Sequence, residues 1–440
     1  MKICFIPIDN RPVCYNLVKD IVAIDKSIEL LIPPRNLLGG LFEKSCTYDL
    51  LKWLNDIQGC DAIILSLDTI AYGGLIPSRR TNEPTEKILE RISKLKDVLK
   101  EKNAKIYAFS SIMRISNNNF NDEEKDYWKD YGKKIFQYSY SGGLDKADIP
   151  DEILADYLNT RKRNFEINKF YLEWQKEGLF DTLIFSKDDC AEHGFNVDEA
   201  RELECLGAYV KTGADEIPLS LLARAINKEI KILIDFIEPE HKSLISNYED
   251  VSIEQSVLGQ LELCNIKVID SKKDADVVLL VNNFIEKQGE LVMNWETKPF
   301  DKGLELPEKP YIIADVRFAN GADNKFVEKF LEKNDLKNFY GYAAWNTSAN
   351  TLGSLLACLK VSYNARKFDE KAFKKLQLIR FLDDWAYQAN VRAMIKGPED
   401  ITFRMKPFEK RLLNLFNYKL DSKISYVYPW DRKFEIEVML

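Results

Sequence analysis

Two adjacent acids, Asp188 and Asp189, close an apolar run, TLIFSK, and are followed directly by a cysteine. Successive strand residues face opposite ways, but the turn at a strand end can aim both carboxyl groups into one hollow. Close carboxylates repel, so one is pushed toward its protonated form and the two titrate as a coupled pair. An acid beside a base at neutral pH is what glycosidic bond cleavage requires. Asp189 is therefore the candidate general acid and Asp188 its polarising or basic partner. The competing reading is that one of them caps the helix starting near Asn196 or pairs with Lys187.

The same pattern, an apolar run ending in polar residues, recurs in IPIDNRP, LSLDTIAYGG, ADVRFANGAD and AAWNTSANT. Asp9 with Arg11 sets a carboxylate and a forked guanidinium within one turn, suited to hydroxyl-rich or anionic ligands, or else to a local ion pair that fixes the turn. Asp68, Tyr72 and Arg79 form a second set, and the glycines after Tyr72 allow close backbone approach to a ligand. Asn320 and Asp323 lie at one expected strand-to-helix turn, and Trp345 and Asn346 at the next, where helix N-termini and amides offer donors to a hydroxyl or carbonyl. Trp345 is either a stacking platform for a flat apolar face or a core residue. Asp215 and Glu216 read as helix caps.

Only two histidines are present, and the Cys190-x-x-His193 spacing has no second half, so a zinc site of the usual kind is not expected. No metal or cofactor is assigned. The alternative is Mg²⁺ or Mn²⁺ held through oxygen ligands by Asp9, Asp68, Asp188 or Asp315. Walker A, G-x-G-x-x-G, G-x-S-x-G and H-E-x-x-H motifs are missing, which removes support from nucleotide, esterase and metalloprotease readings.

The acids must be positioned by a scaffold, and 440 residues exceed what one core usually serves. A net charge of −7 with no polybasic stripe argues against nucleic acid as a partner. Asp9 and Arg11 interrupt the N-terminal apolar run where a signal peptide would still be hydrophobic, and no stretch reaches the roughly 18 apolar residues of a membrane span. Scattered cysteines fit a reducing cytoplasm.

Apolar runs predict strands at 2–8, 28–32, 62–67, 105–110 and 182–186, and a second series at 232–237, 266–269, 277–281, 311–315 and 339–344. Helices are expected between them. The clearest spans 85–102, with Ile88, Ile92, Leu95 and Leu99 on one face and Glu90 four residues before Lys94. Asn196 and Glu199 have capping-box spacing ahead of another. The expected fold is α/β: two parallel-sheet βα lobes around a cleft, 1–215 and 216–365, then a C-terminal helical unit and tail at 366–440. A distorted (β/α)₈ barrel with extra strands is the alternative. Residues 113–180 form a helical insertion at a strand's carboxyl end, either a lid or a subdomain packed for stability.

The ordered motifs PIDNRP, SLDTIAYGGLIPSR, SKDDC, GADE, ADVRFANGADN, GYAAWNTSANTLG and PWDRKFE resemble an uncharacterised bacterial family, domain of unknown function 4127. The resemblance extends over nearly the whole chain and implies that the motifs form one constellation. Separately, the Asp-Asp pair is similar to that of hexosaminidases that use the substrate's acetamido group as nucleophile. By that likeness Asp188 orients the acetamide and Asp189 is the acid/base. The expected activity is hydrolysis of a small polar, carbohydrate-like substrate, most plainly a glycoside or amino-sugar conjugate. A divalent-metal-dependent hydrolase or lyase, and a non-catalytic sugar-binding or sensory module, are the alternatives.

Overall fold

Runs of isoleucine, leucine and valine, too short for helices and bounded by polar turns, become parallel strands buried on both faces. The computed structural model describes residues 1–188, 190–397 and 400–440. The chain divides into two compact units. Unit 1 comprises Met1–Tyr15, Glu29–Leu221 and Tyr248–Asp250, and unit 2 comprises Asn16–Ile28, Leu222–Asn247 and Val251–Leu440.

In unit 1, β1 (Lys2–Ile6), β2 (Glu29–Leu31), β3 (Ala62–Ser66), β4 (Lys105–Ile112), β5 (Thr182–Lys187) and β6 (Tyr209–Thr212) form one sheet in the order β2-β1-β3-β4-β5-β6. Every neighbouring pair is parallel. The strand order reverses between β1 and β3, and in open sheets of this kind ligands gather outside the carboxyl ends at such a reversal. The predicted helix forms over Thr85–Lys100, burying Ile88, Ile92, Leu95 and Leu99, with the Glu90–Lys94 pair at 2.9 Å on its exposed side. Its apolar face joins Ile63 and Leu65 of β3 and Phe165, Ile167 and Tyr171 of the helix Asp151–Lys176 in one core. Each such side chain contributes about 1.5–3 kcal/mol when fully buried.

In unit 2, β7 (Lys231–Phe236), β8 (Lys267–Val268), β9 (Val277–Asn282), β10 (Gly289–Glu290), β11 (Tyr311–Asp315), β12 (Phe318–Ala319) and β13 (Phe339–Ala343) follow in sequence. The main sheet runs β13-β11-β9-β7-β8, again all parallel, while β10 and β12 pair as a small parallel ribbon. Both main sheets wind alike: the first strand lies between the second and the third, so unit 2 has its own order reversal, between β7 and β9. Both sheets are open, and no closed barrel occurs among the described residues, so the (β/α)₈ alternative is set aside.

Local differences from the sequence expectation have physical reasons. Strand β6 was not anticipated, because YVKT is four residues long and only half-buried, which leaves no apolar signal. The helix Phe195–Cys205 starts at Gly194 without a side-chain cap, so Asn196 and Glu199 form no capping box; Glu199 pairs instead with Arg161 at 2.7 Å. A true capping box occurs at Ser252 and Gln255, opening Ile253–Leu263. The helices beyond residue 366 belong to unit 2 and do not form a third unit. Leu378, Phe381, Leu382 and Trp385 share a core with Ile313 and Tyr342, since a sheet buried on both faces needs apolar cover that these helices supply. There the helix Glu370–Arg380 passes into an 11-residue π-helical stretch, Phe381–Val391. The tail ends in an antiparallel pair, β14 (Ser425–Val427) with β15 (Glu437–Met439). Within the 113–180 insertion, Trp128, Ile135, Ile149, Leu154 and Tyr157 pack with Met113 and Ile115 in a small core of their own.

Candidate functional site

Five strands of unit 1 deliver charged side chains to one end of the sheet. After β1 the chain turns so that Asp9 Oδ1 accepts from the Arg11 backbone N–H at 2.9 Å, while Asp9 Oδ2 accepts from Arg11 Nε at 2.9 Å and Nη2 at 2.7 Å. Arg11 Nη2 also donates to Asp215 Oδ1 at 2.6 Å, three residues beyond β6. The Asp9–Arg11 ion pair weighed from the sequence is therefore present, and it is buried and shared with a second acid. Burial pushes the Asp215 carboxyl up to about 6; Arg11 opposes the rise, and Asp9 and Asp188 add to it. The carboxyl of its chain neighbour Glu216 is pushed up to about 8, chiefly by burial. Glu216 Oε2 accepts from the Ala214 N–H at 3.1 Å, which lies ahead of the helix Ile217–Ala225, so this bond is not a helix cap, and Asp215 belongs to the site.

Beyond β3, Ser66 caps the short helix Leu67–Ala71 that carries Asp68. Asp68 is 1 % exposed, and its Oδ2 accepts from the Ser111 N–H on β4 at 2.8 Å. Burial pushes its carboxyl up to about 7, against the Ser110 and Ser111 hydrogen bonds and the Arg79 charge. The Thr69 hydroxyl donates to the Pro7 carbonyl at 2.7 Å, which locks the β3 turn to the β1 turn. Tyr72 is buried, its hydroxyl has no hydrogen-bond partner, and its ring lies 5.5 Å below Arg163. Glycines 73 and 74 do allow a close approach, but by protein: a Cβ on Gly73 would sit 2.7 Å from Lys44 Cβ.

The two sets are joined through Arg114, Glu123 and Glu124, which the sequence did not single out. Arg79, 2 % exposed, lies 3.5 Å from Glu123 and 3.6 Å from Glu124. Arg114, two residues past β4, binds Glu123 at 2.8 Å and Glu124 at 3.0 Å, and its Nη1 stands 3.6 Å from Asp188 Oδ2. Lys187 pairs with Asp250, so Asp188 faces Arg114 and not Lys187. The result is one charge network, Asp9–Arg11–Asp215–Asp188–Arg114–Glu123/Glu124–Arg79–Asp68, across the carboxyl ends of β1, β3, β4, β5 and β6. Its deep members are closed to solvent, while the Asp188 and Glu123 side chains, 22 % and 24 % exposed, form the accessible rim. Asp189 lies outside the described residues.

Asp9, Cys14 and Asp215 place a ligand atom each within 4.8 Å of one another, the one such group of acids, cysteines and histidines among the described residues. Arg11 Nη2 lies 2.7 Å from Asp9, 2.6 Å from Asp215 and 3.8 Å from Cys14 Sγ, so a guanidinium already supplies the positive charge there. Burial and the two acids push the Cys14 thiol well above its ordinary value, against the thiolate a metal would need.

The remaining sequence candidates sit in unit 2. Asp323 is a helix cap: Oδ1 accepts from Lys325 N at 3.0 Å, Oδ2 accepts from Phe300 N at 2.6 Å, and Arg317 lies 3.4 Å away. Asp315 is saturated by Asn282, the Asp323 N–H and the Tyr342 hydroxyl. These acids hold the fold and are not presented to a ligand. Trp345, 4 % exposed, packs edge-on to Phe434 and so serves the core, correcting the stacking-platform expectation. Asn320 and Asn346 adopt left-handed backbone, φ 61° and 60°, joined by a 2.8 Å bond from Asn320 N to Asn346 O. No helix of the described residues is long and apolar enough to cross a membrane.

Arg114 and Asp215 obey the same rule that pointed to Asp9 and Asp68, a charged residue within three positions of a strand's carboxyl end. Arg114 has no adjacent acid to mark it, and Asp215 reads as a helix cap from the sequence because the short, half-buried β6 leaves no apolar signal. Glu123 and Glu124 carry no local signal, since only the insertion's path returns them to the sheet. Comparison with curated proteins and with solved structures finds no match. Over residues 3–439 the chain matches the family described as Protein of unknown function (DUF4127), and it belongs to that family.

Proposed function

We propose that the protein is a cytoplasmic hydrolase of a small, hydroxyl-rich substrate, with a glycoside or amino-sugar conjugate as the favoured class. The observation that carries the reading is the unit 1 network, in which buried acids held toward protonation, Asp215 at about 6 and Asp68 at about 7, stand behind a solvent-reachable carboxylate, Asp188. Acid and base chemistry at neutral pH needs carboxyl groups whose environments separate their protonation. Asp188 is the polarising or basic partner. Asp189 is the general acid on sequence grounds. Arg114 and Glu123, at the rim, are placed to meet hydroxyl groups.

The test is a screen of chromogenic glycosides and N-acetylamino-sugar glycosides with the wild type, Asp188→Asn and Asp189→Asn. Either substitution is expected to lower kcat by about 10²-fold or more with an unchanged circular dichroism spectrum. Turnover that survives both substitutions refutes the assignment. The second reading is a divalent-metal-dependent hydrolase or lyase, although at the Asp9–Cys14–Asp215 grouping Arg11 already supplies the positive charge. Loss of turnover on chelation and its return with Mg²⁺ or Mn²⁺ would select it.

A further inference from the structure

Unit 2 holds a set of buried oxygen atoms that accept from nothing. Asn320 is 6 % exposed, Asp384 0 % and Gln388 4 %, yet Asn320 Oδ1, Asp384 Oδ1 and Gln388 Oε1 have no hydrogen-bond partner. An acceptor buried without a donor costs about 1–3 kcal/mol, more when charged, so three in one neighbourhood call for an explanation.

The orientation of each group is dictated by its other end. Asn320 Nδ2 donates to Glu290, an acceptor, so the amide is not reversed. Gln388 Nε2 donates to Asp383 Oδ1 at 3.1 Å and to the Phe434 carbonyl at 3.0 Å, which likewise settles its oxygen. Asp384 Oδ2 accepts from the Ala344 N–H, just beyond β13, at 2.7 Å and lies 3.2 Å from Arg380, which leaves Oδ1 over.

The three residues meet at one junction. The Ala322 N–H donates to the Asp384 carbonyl at 2.9 Å. A Cβ on Gly321 would stand 2.8 Å from Gln388 Cβ and 3.2 Å from the Asp384 carbonyl, so the Asn320–Gly321 turn lies directly on the Asp384–Gln388 segment. Both Asp384 and Gln388 belong to the π-helical stretch Phe381–Val391, and π-helical geometry concentrates at functional sites. The surrounding charge is mixed with an excess of acid: Asp383, Asp384, Glu290 and Glu435 are set against Arg380 and Arg392.

We propose that Asn320 Oδ1, Asp384 Oδ1 and Gln388 Oε1 are the protein ligands of a hard divalent cation, Ca²⁺ or Mg²⁺, bound in unit 2 beside the turns that follow β12 and β13. Carboxamide and carboxylate oxygens are the ligands such ions take, with water completing the shell. Asn320 holds left-handed backbone, a conformation asparagine adopts readily. The site is separate from the hydrolase reading, since every residue in it belongs to unit 2.

The experiment is calorimetric titration of the chelator-treated full chain with CaCl₂, MgCl₂ and methylammonium chloride, with melting curves alongside. The expected result is one equivalent of a divalent ion bound with a Kd below about 1 mM and a Tm that rises with its concentration. Asp384→Asn and Gln388→Met each weaken binding about tenfold or more, while Asp215→Asn in unit 1 leaves it as in the wild type. Asp384 also holds Ala344, so if Asp384→Asn fails to fold, Gln388→Met and the wild-type isotherm decide. The proposal is overturned if no divalent ion binds, if only methylammonium binds, or if the unit 1 variant removes the binding that Gln388→Met retains.

Discussion

Arg11 and Asp215, 204 positions apart in the chain, are joined by a 2.6 Å hydrogen bond between buried groups. The same guanidinium holds Asp9 at 2.7 Å, so one cation keeps two acids, from the first and last strands of the unit 1 sheet, side by side. Two carboxylates brought so close out of water repel unless a positive charge lies between them.

Removing that charge should destabilise the protein severely. Arg11→Ala is expected to cost about 3–5 kcal/mol, the scale for stripping one partner from a buried ion pair. Arg11→Lys should recover only part of this, because an ammonium cannot reproduce the fork that spans Asp9. Urea denaturation measures both. A loss under about 1 kcal/mol for Arg11→Ala would mean that the two acids do not depend on it.

Asp68 gives a pH dependence of known sign. Its carboxyl ordinarily titrates at 3.8 and is raised to about 7 in the fold. Below 3.8 it is protonated whether folded or not, and its contribution is fully present; as pH rises toward 7 the unfolded chain releases the proton first, and the contribution is lost. Asp68→Asn keeps an acceptor for the Ser111 N–H and has no proton to lose. Between pH 4 and pH 8 the stability of the variant relative to wild type should therefore rise by an amount on the order of 2–4 kcal/mol. A difference that stays flat across this range would contradict the raised titration.

The cysteines separate cleanly by environment. Cys46 and Cys205 are exposed and the other six are buried, Cys14 with its thiol held protonated. Thiol titration of the native protein with a chromogenic disulfide should show two fast equivalents, abolished in Cys46→Ser/Cys205→Ser, with Cys14 reacting only on unfolding. Rapid modification of Cys14 in the native protein would show that a thiolate is present beside Asp9 and Asp215.

Gly39 tests how the β1 turn is braced. A Cβ at this position would lie 2.2 Å from the Gly73 carbonyl oxygen, and the Gly39 carbonyl accepts from the Asn10 N–H at 3.0 Å. Gly39→Ala must separate two backbones and disturb the residue between Asp9 and Arg11. The expected cost is about 1–3 kcal/mol or more, read by urea denaturation. A variant with wild-type stability would show that the turn accommodates the methyl group freely.

Much of this protein was readable from neighbouring residues alone. Apolar runs such as AIILS and VVLLV announce buried parallel strands, and the spacing of Ile88, Ile92, Leu95 and Leu99 announces the helix that covers one of them, because burial periodicity is a short-range property. The polar residues that end each run mark Asp9, Asp68 and Asp188 as strand-end groups before any fold is known. What each acid does was decided by tertiary structure. Asp188 faces Arg114 and not its neighbour Lys187, Asp215 leaves its helix cap for Arg11, and Asp323 with Trp345 is drawn into the interior of unit 2. Such pairings depend on which strands become neighbours and how far an insertion travels before it returns. These are long-range outcomes of packing, and no stretch of adjacent residues encodes them.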